Sequence, residues 1–150
     1  MQKVKPMKRI RGAILVLVMT LYGGFMSGAQ AQGRSSAFDG AWAVTVTCSS
    51  AADGALGYTM HFPATVTEGS FRGENGIKGS EVWMLLEGPI QPDGNALLSA
   101  RGLTGNPANT VGRVSALTPY SYHVRAHFDS TQGQGTRVEL RPCTLNFGKS

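Results

Sequence analysis

The sequence has little charge, few cysteines and no apolar run of membrane-spanning length. Asp, Glu, Lys and Arg make up 15% of its 150 residues, and there are only two cysteines. The longest apolar stretch begins at Ala13 and breaks at Gly23 and Gly24 after about ten residues, whereas a transmembrane helix needs roughly 20. A hydrophobic content of 41% indicates a folded chain, and the length fits one domain.

The net charge of +5 is concentrated at the amino terminus. Five of the basic residues lie within the first eleven positions, where there is no acid, and nine basic residues and nine acids remain after them. The rest of the chain is therefore neutral overall, and it has no basic run of the kind that binds nucleic acid. We expect no nucleic-acid partner.

Residues 1–31 have the three parts of a secretory signal peptide. The basic stretch is followed by the apolar run and then by small residues, Ala29 and Ala31, at the −3 and −1 positions of a cleavage site. We expect cleavage after Ala31, export to the periplasm or extracellular space, and a single β-domain over residues 32–150. No cysteine is present at the cleavage site itself to carry a lipid, so we expect no membrane span or anchor after cleavage.

The two cysteines, Cys48 and Cys143, lie near the two ends of that domain. In an oxidising compartment two such cysteines usually form a disulfide. Closing a loop of about 95 residues would stabilise the fold by roughly 4–5 kcal/mol in the chain-entropy model. A metal site is the alternative for the two thiols, but neither has further Cys or His ligands at a suitable spacing.

Alternation with a period of two recurs after position 40, and no segment keeps a helical period for three turns. The runs that alternate, or are apolar throughout, are residues 42–48, 58–67, 82–86, 95–103, 121–128 and 136–147. Turn residues such as Pro92-Asp93-Gly94 separate them, and residues 129–135 resemble a flexible hairpin loop. The pattern predicts an all-β domain of seven or eight strands.

The alternation changes phase at Pro142. Val138 and Leu140 lie at even positions of the last run, whereas Cys143 lies at an odd one, as a β-bulge at the proline would produce. The bulge would turn Cys143 inward to meet Cys48 and make the first and last strands neighbours. In an antiparallel meander this predicts a small closed barrel, with a β-sandwich as the alternative.

Two resemblances support a barrel module. Gly40-Ala41-Trp42 resembles the Gly-x-Trp opening of lipocalin-like and avidin-like barrels, which implies that Trp42 plugs one barrel end beneath an Arg from a late strand, here Arg141. The mature chain is also similar to uncharacterised secreted bacterial domains. That similarity is carried by FDG at 38–40, GRV at 112–114, TPY at 118–120 and RVELRPC at 137–143. It implies a reusable module and supplies no catalytic residues.

Aromatic and basic residues are the candidates for a binding site. Trp83 has the opposite parity to its neighbours and would form an exposed apolar patch with Leu85. Tyr120 and Tyr122 follow the long irregular loop 102–119 and could belong to a binding rim, or simply pack against that loop. The third candidate is an anion-binding patch on the outward face of the last strands, formed by Arg113, Arg125, Arg137 and Arg141; the alternative for Arg125 is a cross-strand ion pair with Glu139.

Catalytic and metal chemistry have weaker support. His123 and His127 are four residues apart, but on a strand that spacing spans about 13 Å, too far for one ion. With His61 they are expected to face outward. The mature chain has no G-x-S-x-G motif, and we expect no cofactor and no catalytic residues.

The sequence therefore predicts an exported, non-enzymatic binding module that displays loop 102–119 at one open barrel end. Several large side chains are expected to fill the interior: Trp42, Met60, Phe62, Met84 and Phe128. A full interior favours a protein partner over a small ligand. A lipocalin-like small-ligand barrel is the alternative, and a solvent-connected cavity of roughly 300 Å3 or more would support it. A hydrolase without a recognisable motif is the third hypothesis.

Overall fold

The computed structural model describes residues 36–150. The predicted signal peptide and its cleavage site after Ala31 lie outside the described residues.

Eight antiparallel strands form one closed barrel, in which each strand pairs with the next and the last pairs with the first. The strands are β1 (Gly40–Cys48), β2 (Tyr58–Thr67), β3 (Ser70–Asn75), β4 (Met84–Pro89), β5 (Asn95–Leu103), β6 (Pro119–Phe128), β7 (Gln132–Arg137) and β8 (Cys143–Lys149). Short 3-10 turns occupy Ser36–Phe38, Pro107–Asn109 and Val111–Arg113. The predicted all-β closed barrel is confirmed with eight strands, and the sandwich alternative is wrong.

The period-two patterns produce the strands because every second side chain enters the barrel. The predicted inner faces of β1, β2 and β6 face the barrel interior, and their buried members are Trp42, Val44, Val46, Cys48, Phe62, Ala64, Val66, Tyr122, Val124, Ala126 and Phe128. The alternate residues of these strands are mostly exposed. Each large apolar side chain removed from water contributes about 1.5–3 kcal/mol, so a one-residue slip of register would be strongly disfavoured.

The predicted disulfide is confirmed. Cys48 and Cys143 are directly opposite each other in the β1–β8 ladder, and their sulfurs are bonded. Since Cys143 begins β8 and Cys48 ends β1, the bond crosses the seam that closes the barrel.

The prediction of one bulged strand over residues 136–147 is wrong. Residues 138–142 form a loop between β7 and β8, and part of the segment predicted to be flexible, residues 129–135, belongs to β7. The phase change at Pro142 therefore marks a change of strand. As a result Arg125 lies opposite Thr136 rather than Glu139, and Arg137, Glu139 and Arg141 do not share one strand face.

The barrel has a lower end, where β1 begins, that is filled by aromatic rings. Trp42 packs edge-on against Phe128 with ring centroids 5.5 Å apart, and Phe71 and Phe147 meet the same cluster. The Trp42 indole donates a hydrogen bond of 2.9 Å to the Phe38 carbonyl. The expectation that Arg141 covers Trp42 is wrong, because Arg141 follows β7 at the other end, and the cation near the Trp42 ring is Lys149, at 5.9 Å.

Candidate functional site

The upper end, where β1 finishes, carries the longer connections. Three of them form what we call the rim: residues 49–57, 104–118 and 138–142. Backbone and side-chain hydrogen bonds join the first two, from Leu56 N to Ala108 O at 2.8 Å and from Gly112 N to the Asp53 carboxylate at 2.6 Å. The bond from Gly112 N, together with one from Ala55 N, lowers the pKa of Asp53. The rim is thus fixed by contacts between loops distant in sequence.

Arg141 holds all three rim loops together. Its side chain is buried, and its guanidinium donates to the Asn109 carbonyl at 2.7 Å and to the Leu56 carbonyl at 3.0 Å. It also donates to the carbonyls of Ser49 and Ala55. No carboxylate neutralises it among residues 36–150, so four backbone carbonyls stabilise a buried positive charge.

Beneath the rim lies a cavity of about 440 Å3. Its walls come from the upper ends of β2, β5, β6 and β7 and from the rim loops, and its polar lining includes Tyr58, Tyr120, Tyr122, Arg137 and Arg141. Apolar lining is supplied by Met60, Val82, Leu103, Val111, Val114 and Leu140. Leu140 is 77% exposed and Val114 37%, so the cavity opens to solvent. The expectation of a completely filled interior therefore holds for the lower end only.

One wall of the cavity is a layer of two tyrosine rings and a guanidinium. Tyr120 and Tyr122 stack with ring centroids 5.8 Å apart and planes 7° from parallel. The Arg137 guanidinium lies 4.0 Å from the centre of the Tyr122 ring. The Tyr122 hydroxyl donates to the Met84 sulfur at 3.2 Å, which helps to fix the position of the ring.

Gly102 makes room for this wall. It lies opposite Tyr120 in the β5–β6 ladder, and a Cβ there would come within 2.8 Å of the Tyr120 Cζ atom. The Tyr120 ring can therefore lie over β5 only because position 102 has no side chain.

Burial of the three tyrosines suppresses their ionisation. Loss of hydration raises the pKa of Tyr122 to about 12, with nearby Arg137 acting in the opposite direction. The same cause raises the pKa of Tyr120 and of Tyr58. At neutral pH all three present a neutral hydroxyl and an aromatic face.

Three residues of the upper loops, two in the rim and one in the neighbouring loop 76–83, adopt left-handed backbone conformations that side chains disfavour. Val82, Leu117 and Leu140 have φ values of 62°, 61° and 64°, and such positions cost about 1–3 kcal/mol each. All three are exposed apolar residues. Backbone strain that keeps apolar side chains at a surface is typical of functional loops.

The structure brings together some of the predicted site residues and separates others. Tyr120, Tyr122 and Arg141 line the cavity, together with Arg137. Arg125 is exposed on the outer face of β6, and Arg113 is exposed on the rim loop, where it does not line the cavity. Tyr58 and Met60 also line the cavity; their parity on β2 predicts that they point inward but does not identify them as site residues.

The predicted exposed patch at Trp83 is wrong. Trp83 is 8% exposed and Leu85 2%, and the Trp83 indole donates to a Glu74 carboxylate oxygen at 2.8 Å. Both residues lie outside the core cluster of the barrel. Trp83 precedes β4 and belongs to the loop 76–83, whose last two residues, 82 and 83, were predicted to be strand.

The three histidines face outward, as predicted, and each has its own partner. His123 Nδ1 is 2.7 Å from the Glu139 carboxylate, His127 is 3.1 Å from the Asn95 amide oxygen, and His61 is 2.9 Å from the Thr45 hydroxyl. Within residues 36–150 no group of three His, Cys, Asp or Glu could hold a metal ion. The same part of the chain has no helix long and apolar enough to cross a membrane.

A second depression, of about 540 Å3, lies at the lower end among residues 69–72 and 87–92. Turn residues and the Arg72–Glu87 ion pair form much of its lining. We take the upper cavity as the candidate site because it combines an aromatic wall with cations that no acid neutralises. Comparison of the chain with models of known families, with curated proteins and with solved structures found no match.

Proposed function

We propose that the protein is an exported, non-enzymatic binding module that holds a small, largely apolar ligand in the upper cavity. The observation that carries the proposal is the solvent-connected volume of about 440 Å3 with tyrosine, arginine and aliphatic lining. This volume lies in the range of small-molecule sites, and such sites combine apolar walls with a few polar groups. The lipocalin-like alternative is therefore preferred over a protein partner.

The fixed rim supports this choice. A site whose loops are already joined, through Arg141 and Asp53, loses little conformational entropy when a ligand enters. The tyrosine wall offers a rigid aromatic surface against which a flat apolar body can stack.

A neutral fluorescent probe tests the proposal. Phenylnaphthylamine should bind the purified, disulfide-bonded protein with an increase in fluorescence and a stoichiometry of one. Val114→Trp, which fills the cavity mouth, should abolish or strongly weaken binding. Val138→Trp is the matched control because Val138 is an exposed rim residue that does not line the cavity. Equal loss in both variants, or no binding to the unaltered protein, would contradict a cavity site.

A protein partner remains the second candidate, favoured by the exposed apolar rim. Leu56, Leu117 and Leu140 are 57%, 50% and 77% exposed, and such a patch is typical of contact surfaces. If this function holds, a partner copurified with the unaltered protein should be lost from Leu140→Ser and kept by Leu97→Ser. Leu97 is 57% exposed on β5, and its opposite neighbour Arg125 is on the outer wall.

A further inference from the structure

We propose that the ligand of the upper cavity is an anion, a small molecule with a flat apolar body and one carboxylate, sulfonate or phosphate group, and that Arg137 binds this group. The inference rests on the proposed function, because it assigns the chemistry of the ligand held in that cavity.

Arg137 is the cavity residue with an unsatisfied charge. It is half-buried at the end of β7, and its Nε atom is buried without a hydrogen-bond partner. None of the ion pairs formed among residues 36–150 involves it. An Nε donor that has lost water without gaining an acceptor is costly, and an anion that accepts from it would remove that cost.

The nearest acid in sequence is already engaged. The Glu139 carboxylate accepts hydrogen bonds from both the backbone N–H and the ring of His123, each at 2.7 Å. Those contacts lower the pKa of Glu139 and hold it as an anion away from the cavity lining. No Asp or Glu is among the residues that line the cavity.

The contact with Tyr122 orients Arg137 without using its donors. A cation–π contact draws on the face of the ring, whereas the five N–H groups of arginine lie in the guanidinium plane. These donors match a planar or tetrahedral anion in a bidentate arrangement. The stacked Tyr120 and Tyr122 rings beside them provide the surface for an apolar body, so the recognition of an amphiphilic anion needs no rearrangement of the wall.

Arg141 adds to the positive potential of the site. Its guanidinium bonds only to carbonyl oxygens, so its full charge remains, and its Nε is also buried and unpartnered. Two arginines with no lining acid make the cavity attract anions, while the chain from residue 32 onward is close to neutral. The charge of the site is thus local and not a property of the whole surface.

A matched pair of probes tests the inference. Anilinonaphthalene sulfonate has the skeleton of phenylnaphthylamine with one added sulfonate, so the comparison isolates the anion. We expect the unaltered protein to bind the sulfonate at least tenfold more tightly than the neutral amine. Arg137→Gln should weaken binding of the sulfonate by roughly ten- to a hundredfold, the value of one or two hydrogen bonds to a charged group, and so reduce the preference for the sulfonate over the amine.

Further variants keep the test decisive. Arg137→Lys should restore part of the preference, because it returns the charge without the bidentate fork. Arg125→Gln is the control, since Arg125 is an exposed arginine on the outer wall. Thermal unfolding of each variant establishes that it is folded.

The outcomes distinguish a failure of this inference from a failure of the proposed function. Equal binding of both probes to the unaltered protein, or a sulfonate preference that survives Arg137→Gln, overturns the anion assignment and leaves the small-ligand function standing. Sulfonate binding that depends on Arg125 also overturns it, because the outer wall would then be the site. If neither probe binds, both the inference and the proposed function fail.

Discussion

Cys48 and Cys143 face each other across the seam of the barrel, with their Cα atoms 4.1 Å apart in a directly opposed pair of the β1–β8 ladder. Their bond joins positions 95 residues apart in sequence, so it restrains the unfolded chain strongly. The ladder itself does not depend on the bond, because Trp42 to Cys48 pair continuously with β8.

Reduction of this disulfide should therefore lower stability without opening the barrel. In denaturant titrations, Cys48→Ser combined with Cys143→Ser should reduce the free energy of unfolding by about 4 kcal/mol. The far-ultraviolet circular dichroism spectrum in the absence of denaturant should be unchanged. A loss below about 1 kcal/mol, or a loss of β structure without denaturant, would contradict this account of the seam.

Truncation of Trp83 should reduce stability, whereas the parity of Trp83 in the sequence predicted an exposed side chain whose loss would have little effect. An exposed Trp83 would leave stability nearly unchanged on truncation, but the side chain is buried and hydrogen-bonded to Glu74. We expect Trp83→Ala to cost about 3 kcal/mol in the free energy of unfolding. Leu97→Ala, at an exposed position of β5, should cost less than about 0.5 kcal/mol. Similar values for the two variants would place Trp83 at the surface after all.

The fold could be predicted because its signals are local and periodic. The alternation on β1, β2 and β6 follows directly from inward and outward side chains, and two cysteines in one domain can form only one disulfide. The strand boundary at Arg137 could not be read in the same way. Val138 and Leu140 continue an apolar alternation, yet they are exposed loop residues, and only the pairing of β7 with β8 distinguishes a turn from a bulge.

The site was predictable only in part, since it depends on contacts between distant segments. Tyr120 and Tyr122 were candidates because they follow the long loop. Arg141 joins the rim loops by donating hydrogen bonds to four backbone carbonyls. No sequence pattern relates the positions of these carbonyls, which belong to Ser49, Ala55, Leu56 and Asn109. The cavity wall likewise requires that Gly102 has no side chain. A single glycine in a strand indicates that another group approaches closely, but it does not identify that group.

Arg141 should contribute more to stability than any exposed arginine. Arg141→Met removes a donor from four rim carbonyls, of which the Ala55 carbonyl keeps the Ala51 N–H at 2.9 Å, and we expect a loss of about 2–4 kcal/mol in the free energy of unfolding. Arg125→Met, on the outer wall, should change it by less than about 0.5 kcal/mol. Limited proteolysis of Arg141→Met should cleave within residues 49–57 or 104–118, whereas a resistant rim would show that other contacts suffice.

Alkaline pH should destabilise the protein through the cavity tyrosines. The unfolded chain ionises its tyrosines near pH 10, whereas burial raises the pKa of Tyr122 to about 12 and that of Tyr58 and Tyr120 also upward. Below pH 10 the tyrosines are neutral in both the folded and the unfolded chain, so they do not reduce the free energy of unfolding. Above it, each tyrosine lowers stability by roughly 1.4 kcal/mol per pH unit until its folded form ionises.

An ultraviolet titration of tyrosinate measures this directly. A protein of residues 32–150 should show no tyrosine ionising near pH 10 while it remains folded, and the same protein in denaturant should show all of its tyrosines ionising there. A normal titration of even one tyrosine in the folded protein would mean that its hydroxyl is open to solvent.

Gly102 allows a test of how the cavity wall is built. In Gly102→Ala the added methyl group would overlap the Trp83 carbonyl oxygen and press on the Tyr120 ring, so the strand or the ring must shift. Overpacking of this kind costs about 1–3 kcal/mol, and the displaced Tyr120 should also weaken binding of phenylnaphthylamine. Gly148→Ala is the matched control, because a Cβ there meets nothing within 4 Å. A binding loss in Gly102→Ala with Gly148→Ala unaffected would locate the probe against Tyr120. Unchanged binding in both would mean that the tyrosine wall does not contact the ligand.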